Sequence, residues 1–188
     1  LSTSGKSYPL VPGEIRTYNV DVHRHTPPDH KSLEPFLSRF ESFYSGSDML
    51  ATDALIAAAA AHHRLAWIHP FGDGNGRVAR LHSQAALIAA GVDCNGLWTL
   101  SRGFAREQSA YYRALQNADQ PRMNDFDGRG NLSDRALSEF CRFFLTQVLD
   151  QIEFVLGLVD PETLISRIQA YFQIVRTDLD SKMRLHLA

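Results

Sequence analysis

The chain has 188 residues and a formal net charge of −2 at neutral pH. This length suffices for one domain with a hydrophobic core, and the small charge gives no electrostatic basis for nucleic acid as the main partner. The longest apolar run, residues 54–61, is too short to cross a lipid bilayer. The spacing of Cys94 and Cys141 suggests neither a metal site nor a disulfide framework, so we expect a cytoplasmic protein of bacterial type.

The beginning of the chain predicts little helix. Two prolines and a glycine indicate an irregular segment over residues 1–13. Between Ile15 and Val22, alternation and β-branched residues predict a short strand, and the proline-rich stretch that follows predicts its end. We therefore expect one small β-hairpin over residues 15–25.

Helical patterns follow in order. Ser32 is expected to cap a first helix that ends near residue 45, and an alanine-rich second helix is predicted over residues 49–68. On this second helix His62 lies in the apolar stripe and is expected to be a hydrogen-bonded core histidine, whereas its neighbour His63 is expected to be solvated.

The third predicted helix spans residues 77–90 and ends at Gly91, a residue suited to the position after a helix. Its inward face is predicted from its apolar residues, which are Val78, Leu81, Ala85 and Ile88.

Serine residues mark the next two helix starts. Ser101 is expected to cap a helix that continues to residue 119, and Ser133 a long helix that stops before Pro161. A last helix is predicted over residues 162–186. The fold class is therefore all-α, with residues 14–160 as the domain core and residues 161–188 as a C-terminal helix that leads to an extension outside this chain.

A glycine-rich loop joins the second and third predicted helices. It is short of side chains, so its backbone N–H groups are open to an anion, and the following helix adds the positive end of its dipole. Such a geometry binds phosphate above all. The loop and the first turn after it read His69-Pro70-Phe71-Gly72-Asp73-Gly74-Asn75-Gly76-Arg77-Val78-Ala79-Arg80.

These residue types fit a nucleotidyl transfer, which needs a base, an aligned phosphate and neutralisation of the leaving group. His69 can be the base, since its unperturbed pKa lies near neutrality. Asp73 is the only carboxylate of the loop and suits Mg²⁺, if the phosphates of ATP supply further oxygen ligands. Arg77 and Arg80 lie one turn apart and can clamp phosphate oxygens.

The other loop residues have supporting roles in this interpretation. Gly74 and Gly76 let the backbone approach the phosphates, and Asn75 is expected to donate its side-chain N–H to the anion while it caps the helix. Phe71 is expected to be a packing anchor.

Two other kinds of site, a dinucleotide-binding loop and a zinc site, have weaker support in the sequence. Residues 74–79 also satisfy the dinucleotide pattern G-x-G-x-x-A, but that pattern requires a preceding strand, and the alanine-rich run before the loop predicts a helix. A zinc site built from His62, His69 and His82 has no supporting spacing.

The string His-x-Phe-x-Asp-Gly-Asn-Gly-Arg-x-x-Arg, matched here at every fixed position, resembles the signature of the Fic (Fic/Doc) family. The resemblance implies a Fic-fold helical bundle with one small β-hairpin, the flap, which holds the acceptor segment of the target and closes one side of the nucleotide pocket. It implies His69 as base, Asp73 as Mg²⁺ ligand, and an anion cradle formed by Asp73, Gly74, Asn75, Gly76, Arg77, Val78, Ala79 and Arg80. The implied flap residues are Val22, His23, Arg24 and His25.

The resemblance extends beyond the loop. Tyr111, Tyr112, Leu115 and Asp119 are similar to a family segment beside the nucleobase, although Asp119 stands where the family has Asn. Plain core packing is the alternative role for the two tyrosines.

The resemblance further implies an enzyme that transfers AMP from ATP to a Ser, Thr or Tyr hydroxyl of a target protein, with release of pyrophosphate. The intact Gly76 and Arg77 favour AMP transfer over phosphorylation. Three alternatives stay open: another donor such as UTP, GTP or CDP-choline, removal of AMP, or a nucleotide-sensing regulatory module. Expected partners are the target protein, ATP and a second copy of the chain in a homodimer, but no membrane, and nucleic acid only through a C-terminal winged-helix extension. Many family members carry an inhibitory helix in which a Glu follows a Ser or Thr by four positions. No Glu of this chain does so, and the resemblance therefore implies either that inhibition is absent or that the inhibitory segment lies upstream of Leu1 or on a partner.

Overall fold

The structure is a computed structural model that describes residues 2–3, 6–7, 10–22, 25–44, 49–93 and 95–174. Within these ranges the chain forms two very short strands, a single 3₁₀ turn and seven α-helices. The elements are β1 (Ser2–Thr3), β2 (Lys6–Ser7), the 3₁₀ turn (His30–Ser32), α1 (Leu33–Tyr44), α2 (Ala51–Ile68), α3 (Asn75–Ala89), α4 (Leu100–Arg106), α5 (Gln108–Ala118), α6 (Asp134–Val159) and α7 (Pro161–Ile174). The all-α fold class is confirmed.

The N-terminal region differs from the prediction in two ways. β1 and β2 pair antiparallel, Ser2 with Ser7 and Thr3 with Lys6, where an irregular segment was expected. The hairpin expected over residues 15–25 is not confirmed, because only isolated backbone bridges form there, from Ile15 to Phe71 and from Val22 to His25.

A buried arginine explains why residues 15–22 do not form a ladder. Arg16 is 4% exposed, and its guanidinium donates to the carbonyl oxygens of His69 (2.8 Å), Tyr18 (2.9 Å) and Pro28 (2.6 Å). The Tyr18 carbonyl, which a strand partner would otherwise satisfy, is thus satisfied by a side chain of the same segment. The alternation of residue types cannot report such a contact.

The helices around the glycine loop begin and end close to the predicted residues. α2 ends at Ile68 and α3 begins at Asn75. After α3, Gly91 has φ +86°, its N–H bonds the Ile88 carbonyl, and the Val92 N–H bonds the Leu87 carbonyl. This is the Schellman arrangement that glycine favours at a helix end.

The predicted fourth helix is two helices. Thr99, not Ser101, caps α4 by accepting a hydrogen bond from the Arg102 N–H, and the helical conformation breaks at Glu107. Ser133 caps α6 through the Ala136 N–H, as predicted, and α6 ends before Pro161. α7 accounts for residues 161–174 of the predicted last helix, and residues 175–188 lie outside the described part of the chain.

The core lies where α2, α4, α5 and α6 meet, and α3 covers one side of α2. The prediction of the inward face of α3 was wrong: its buried residues are Asn75, Ala79, Ser83 and Leu87, whereas Leu81 is 73% exposed. The buried residues of α2 include alanines, histidines, a leucine and an isoleucine, and one of them, His62, bonds Ser83 of α3. No helix in the described part of the chain combines the length and the apolar character that a membrane span requires.

Candidate active site

The loop between α2 and α3 begins with a strained residue. His69 is the C-cap of α2 and adopts the left-handed conformation, φ 52° and ψ 57°, which is uncommon for a residue with a Cβ. Its backbone is held from both sides: its N–H donates to the Leu65 carbonyl at 3.1 Å and its carbonyl accepts from Arg16 at 2.8 Å. These contacts turn the side chain away from the helix axis at a fixed position.

The His69 imidazole has the tautomer that a base requires. Nδ1 lies 3.3 Å from the Ala66 carbonyl oxygen, which can only accept, so Nδ1 carries the proton and Nε2 keeps a lone pair. Burial lowers the pKa of His69, and His25 and Arg16 lower it further, while the Ala66 carbonyl and Asp73 act in the opposite direction. The ring is therefore neutral at physiological pH.

Asn75 fixes the shape of the loop. It is 3% exposed, its Oδ1 accepts from the Phe71 N–H at 2.9 Å, and its Nδ2 donates to the Phe71 carbonyl at 2.8 Å. Both polar atoms thus bond the Phe71 backbone, and the predicted donation to a bound anion would use the second N–H of Nδ2. Phe71, the predicted packing anchor, is anchored through its backbone and by its bridge to Ile15.

Gly72 permits the close approach of Tyr18. A Cβ at Gly72 would collide with the Tyr18 hydroxyl, and Leu10 Cδ1 would lie 3.3 Å from it. The absence of a side chain at Gly72 thus allows the segment 10–18 to cover one side of the loop.

The first turn of α3 is open to an anion. Gly74 is the N-cap with φ +81°, and no side chain accepts from the N–H groups of the first turn. Val78 and Ala79, the other two residues of the predicted cradle, lie near the start of α3, where Ala79 is fully buried and Val78 half-buried. The terminus can therefore present N–H groups and the helix dipole together.

Charged side chains surround this terminus. Arg77 Nη2 lies 3.2 Å from Asp73 Oδ2, and the two side chains are 75% and 56% exposed. Arg80, one turn later, is half-buried, and a Cβ at Gly76 would lie 3.3 Å from its Nη1. The structure thus brings His69, Asp73, Arg77 and Arg80 to one loop and helix end.

His62 and Tyr111 form a buried hydrogen-bond chain behind α3. Ser83 donates its hydroxyl proton to the Ala79 carbonyl at 2.8 Å, so it accepts from His62 Nδ1 at 2.8 Å, and His62 Nε2 accepts from the Tyr111 hydroxyl at 2.9 Å. Burial lowers the pKa of His62 to about 3 and raises the pKa of Tyr111 to about 12. His62 is the core histidine that its position predicted.

The four residues of the implied nucleobase pocket lie in different surroundings. Tyr111 is 4% exposed and stacks on Phe104 in the core at 4.3 Å between ring centroids, whereas Tyr112 is 57% exposed. Leu115 is half-buried against the core. Asp119 lies at the end of α5 beside two histidines, described next.

Asp119 contacts His63 and His25. Its Oδ1 accepts from His63 Nε2 at 2.9 Å, and its Oδ2 lies 3.4 Å from His25 Nδ1. His63 is 1% exposed, so the prediction that it is solvated was wrong. The sequence pattern did not indicate the burial of His63, because its partner Asp119 lies 56 positions away.

The implied flap residues are only partly described. Val22 and His25 pair through backbone hydrogen bonds of 3.0 and 2.8 Å, and we refer to these two paired residues as the Val22–His25 turn. His25 Nε2 bonds the Trp67 carbonyl at 2.7 Å. His23 and Arg24 lie outside the described residues. The turn borders the catalytic candidate, since His25 affects the pKa of His69.

The residues present are compatible with a nucleotide-bound Mg²⁺. Among the described residues no group of three His, Cys, Asp or Glu side chains could hold a metal ion alone. Asp73 is exposed beside the open helix terminus, and a single carboxylate is sufficient when phosphates and water supply the remaining ligands.

Known proteins resemble this chain in sequence. A sequence model of the Fic/DOC family matches residues 2–87. The protein adenylyltransferase Fic of Nematostella vectensis is 39% identical over 87 residues, which are 46% of this chain and 20% of that protein. The Culex quinquefasciatus protein of the same name is 40% identical over 83 residues, 44% of this chain and 17% of that protein. The chain thus spans about a fifth of the length of these curated relatives.

Solved structures share the fold. A Fic family protein from Desulfovibrio desulfuricans superimposes with a TM-score of 0.59 at 22% identity, over 77% of this chain and 41% of that one. A Fic domain containing signaling protein from Bacteroides thetaiotaomicron gives 0.56 at 21% identity, over 79% of this chain and 55% of that one. Residues 2–87 thus match the Fic/DOC family in sequence, and the chain shares its fold with solved Fic structures.

Proposed function

We propose that this chain is a protein adenylyltransferase that moves AMP from ATP to a Ser, Thr or Tyr hydroxyl of a target protein and releases pyrophosphate. The observation that carries the proposal is the free Nε2 of His69 at the mouth of an uncapped helix terminus, with Asp73, Arg77 and Arg80 around it. The names of the relatives from Nematostella and Culex support the same reaction.

In the proposed reaction His69 is the general base. Nε2 takes the proton of the acceptor hydroxyl while its oxygen attacks the α-phosphorus of ATP. The bond between the α-phosphorus and the bridging oxygen breaks, pyrophosphate leaves with that electron pair, and AMP is joined to the acceptor. The proton on His69 is then lost to water, and the hydrogen bond from Nδ1 to Ala66 keeps the ring aligned throughout.

The helix terminus and the arginines would hold the phosphates. The N–H groups of the first turn of α3 and the positive dipole end attract the anion, and the Arg77 and Arg80 guanidiniums add charge-assisted hydrogen bonds. Asp73 would hold Mg²⁺, which when bound screens the negative charge of the phosphates. Without a nucleotide the carboxylate of Asp73 pairs with Arg77. On binding of a magnesium nucleotide this ion pair would be replaced by a contact of Asp73 with the metal and a contact of Arg77 with phosphate.

Labelled ATP tests the proposal. The protein is incubated with bacterial lysate and ATP labelled either at the α- or at the γ-phosphate, with Mg²⁺ present. We expect lysate proteins to be labelled from α-labelled ATP only, because the γ-phosphate leaves with pyrophosphate. His69→Ala should abolish the labelling, and His30→Ala, which changes a histidine outside the loop, should not.

Two results would contradict the proposal. Labelling from γ-labelled ATP would indicate phosphorylation, and labelling that persists in His69→Ala would remove the base from the mechanism. If labelling comes from the α-phosphate and depends on His69, mass spectrometry of the labelled proteins identifies the acceptor side chain.

A further inference from the structure

Asp119 connects three parts of the chain that are far apart in sequence. Its carboxylate contacts His63 of α2 at 2.9 Å and His25 of the Val22–His25 turn at 3.4 Å. His25 in turn bonds the carbonyl of Trp67, two residues before His69. The end of α5 is thus linked to the end of α2 and to the turn that borders the candidate base.

The chemistry of the atoms shows how these contacts work. A carbonyl oxygen only accepts, so His25 Nε2 donates to Trp67, while His25 Nδ1 lies 3.4 Å from Asp119 Oδ2, within ion-pair distance. Burial is the main cause that lowers the pKa of His63, so that ring is neutral and gives its Nε2 proton to Asp119. The carboxylate thus faces His25 with one oxygen and accepts from His63 with the other.

Both oxygens of Asp119 are engaged by the protein itself. The side chain is 25% exposed, and each oxygen has a histidine partner. Asp119 is thus held by protein contacts before any nucleotide binds. These contacts join α2 and α5 to His25, whose backbone pairs with that of Val22 through two hydrogen bonds.

We propose that Asp119 is a positioning residue that ties the Val22–His25 turn to α2 and α5, and so fixes the turn beside His69, rather than a residue that recognises the nucleobase. The inference rests on the proposed function, because a fixed turn matters by fixing the approach of the acceptor hydroxyl to His69. It assigns a role to the carboxylate that stands where the family has Asn.

Three variants test the inference. Asp119→Ala removes both contacts, and Asp119→Asn keeps an acceptor for His63 but removes the charge that faces His25. Asp125→Ala is the matched control, since Asp125 is an exposed carboxylate in the following loop that pairs with Arg122 on the surface. Amide hydrogen exchange of residues 20–28 reports the order of the turn, and calorimetry with ATP and GTP in the presence of Mg²⁺ reports base selectivity.

In Asp119→Ala we expect exchange at the Val22 and His25 amides to accelerate about tenfold, as the loss of charge-assisted hydrogen bonds predicts. The ratio of ATP affinity to GTP affinity should stay within about twofold of wild type. Asp119→Asn should give a smaller acceleration, and Asp125→Ala none. A changed affinity ratio with unchanged exchange would make Asp119 a base-recognition residue and overturn the inference, as would unchanged exchange with an unchanged ratio.

The kinetics separate positioning from general loosening. With the most strongly labelled lysate protein as acceptor, Asp119→Ala should raise KM for the acceptor about tenfold and leave KM for ATP unchanged, whereas a loosened fold would raise both. If Asp119→Ala does not fold, the nearly isosteric Asp119→Asn decides the question. If the wild-type protein binds neither nucleotide, the proposed function fails, and the exchange data still decide whether Asp119 holds the turn.

Discussion

His69 determines the pH range over which the proposed transfer can run. Only the neutral ring can accept the hydroxyl proton, and burial lowers the pKa of His69 below its ordinary value of 6.5. A lowered pKa keeps the base neutral to more acidic pH. We therefore expect the acid limb of kcat/KM for AMP transfer to have its midpoint below 6.5, measured as initial rates across a pH series. A midpoint at or above 6.5 would show that the ring is not buried as described or is not the base.

Single residues also show what the sequence could predict about the site. His69, Asp73 and the two arginines come together as expected, because their spacing around a short loop leaves them little freedom. The pattern did not predict that the Asn75 amide bonds the backbone of Phe71 within its own loop. It also failed to predict the burial of His63, whose partner Asp119 is more than fifty positions away.

At the scale of elements, the segment 10–18 and the glycine loop are matched in shape. A methyl group at Gly72 would collide with the Tyr18 hydroxyl. We expect Gly72→Ala to destabilise the protein by about 1–3 kcal/mol, the usual range for overpacking. Tyr18→Phe removes the oxygen concerned, so the double variant should be more stable than the sum of the two single effects predicts. Urea unfolding of the four proteins measures this, and strict additivity would mean that the loop relaxes by another route.

The elements themselves were predictable to different degrees. Glycine and alanine composition was sufficient to locate the ends of α2 and α3, because it reflects local backbone preference. The break between α4 and α5 at Glu107 has no glycine or proline to signal it. The strand expected after Ile15 failed because tertiary contacts of Arg16 replaced the strand partner. The inward face of α3 was predicted wrongly because it includes two polar residues, Asn75 and Ser83, whose hydrogen bonds hydrophobic periodicity does not reveal.

At the scale of the whole molecule, the buried histidines make stability depend on pH. The pKa of His62 is lowered to about 3 in the folded state, against 6.5 as the ordinary value, and the pKa of His63 is also lowered. Between pH 6.5 and about 3 the unfolded chain binds protons at these histidines that the native state does not bind. The stability that their neutral burial provides is therefore complete above pH 6.5 and is lost as the pH falls toward 3.

We therefore expect the free energy of unfolding to decrease on acidification from 6.5, with each such histidine contributing a slope of up to about 1.4 kcal/mol per pH unit. Urea denaturation at several pH values above the carboxyl range measures the slope. His62→Gln should reduce it, and His30→Gln, a change outside the core, should leave it as in wild type. A slope that is identical in His62→Gln would show that His62 is not buried as a neutral ring.

The all-α architecture was predictable as a whole because most of the chain carries helical periodicity and only the first thirty or so residues do not. Relative placement of the helices was not predictable in the same way. It depends on contacts such as those of Arg102 with Gln151 at 2.9 Å and with the Phe154 ring at 3.6 Å, which join α4 to α6 across a long separation in sequence.

Arg16 has a consequence for any attempt to excise the motif. Its guanidinium and its own N–H together serve the carbonyls of His69, Pro70, Tyr18 and Pro28. A fragment that began at Met49 would contain every side chain from His69 to Arg80, yet it would leave the carbonyls of His69 and Pro70 without these donors. The twelve residues from His69 to Arg80 therefore do not determine the conformation of the loop by themselves. Part of it depends on Arg16, which lies outside the sequence signature of the loop.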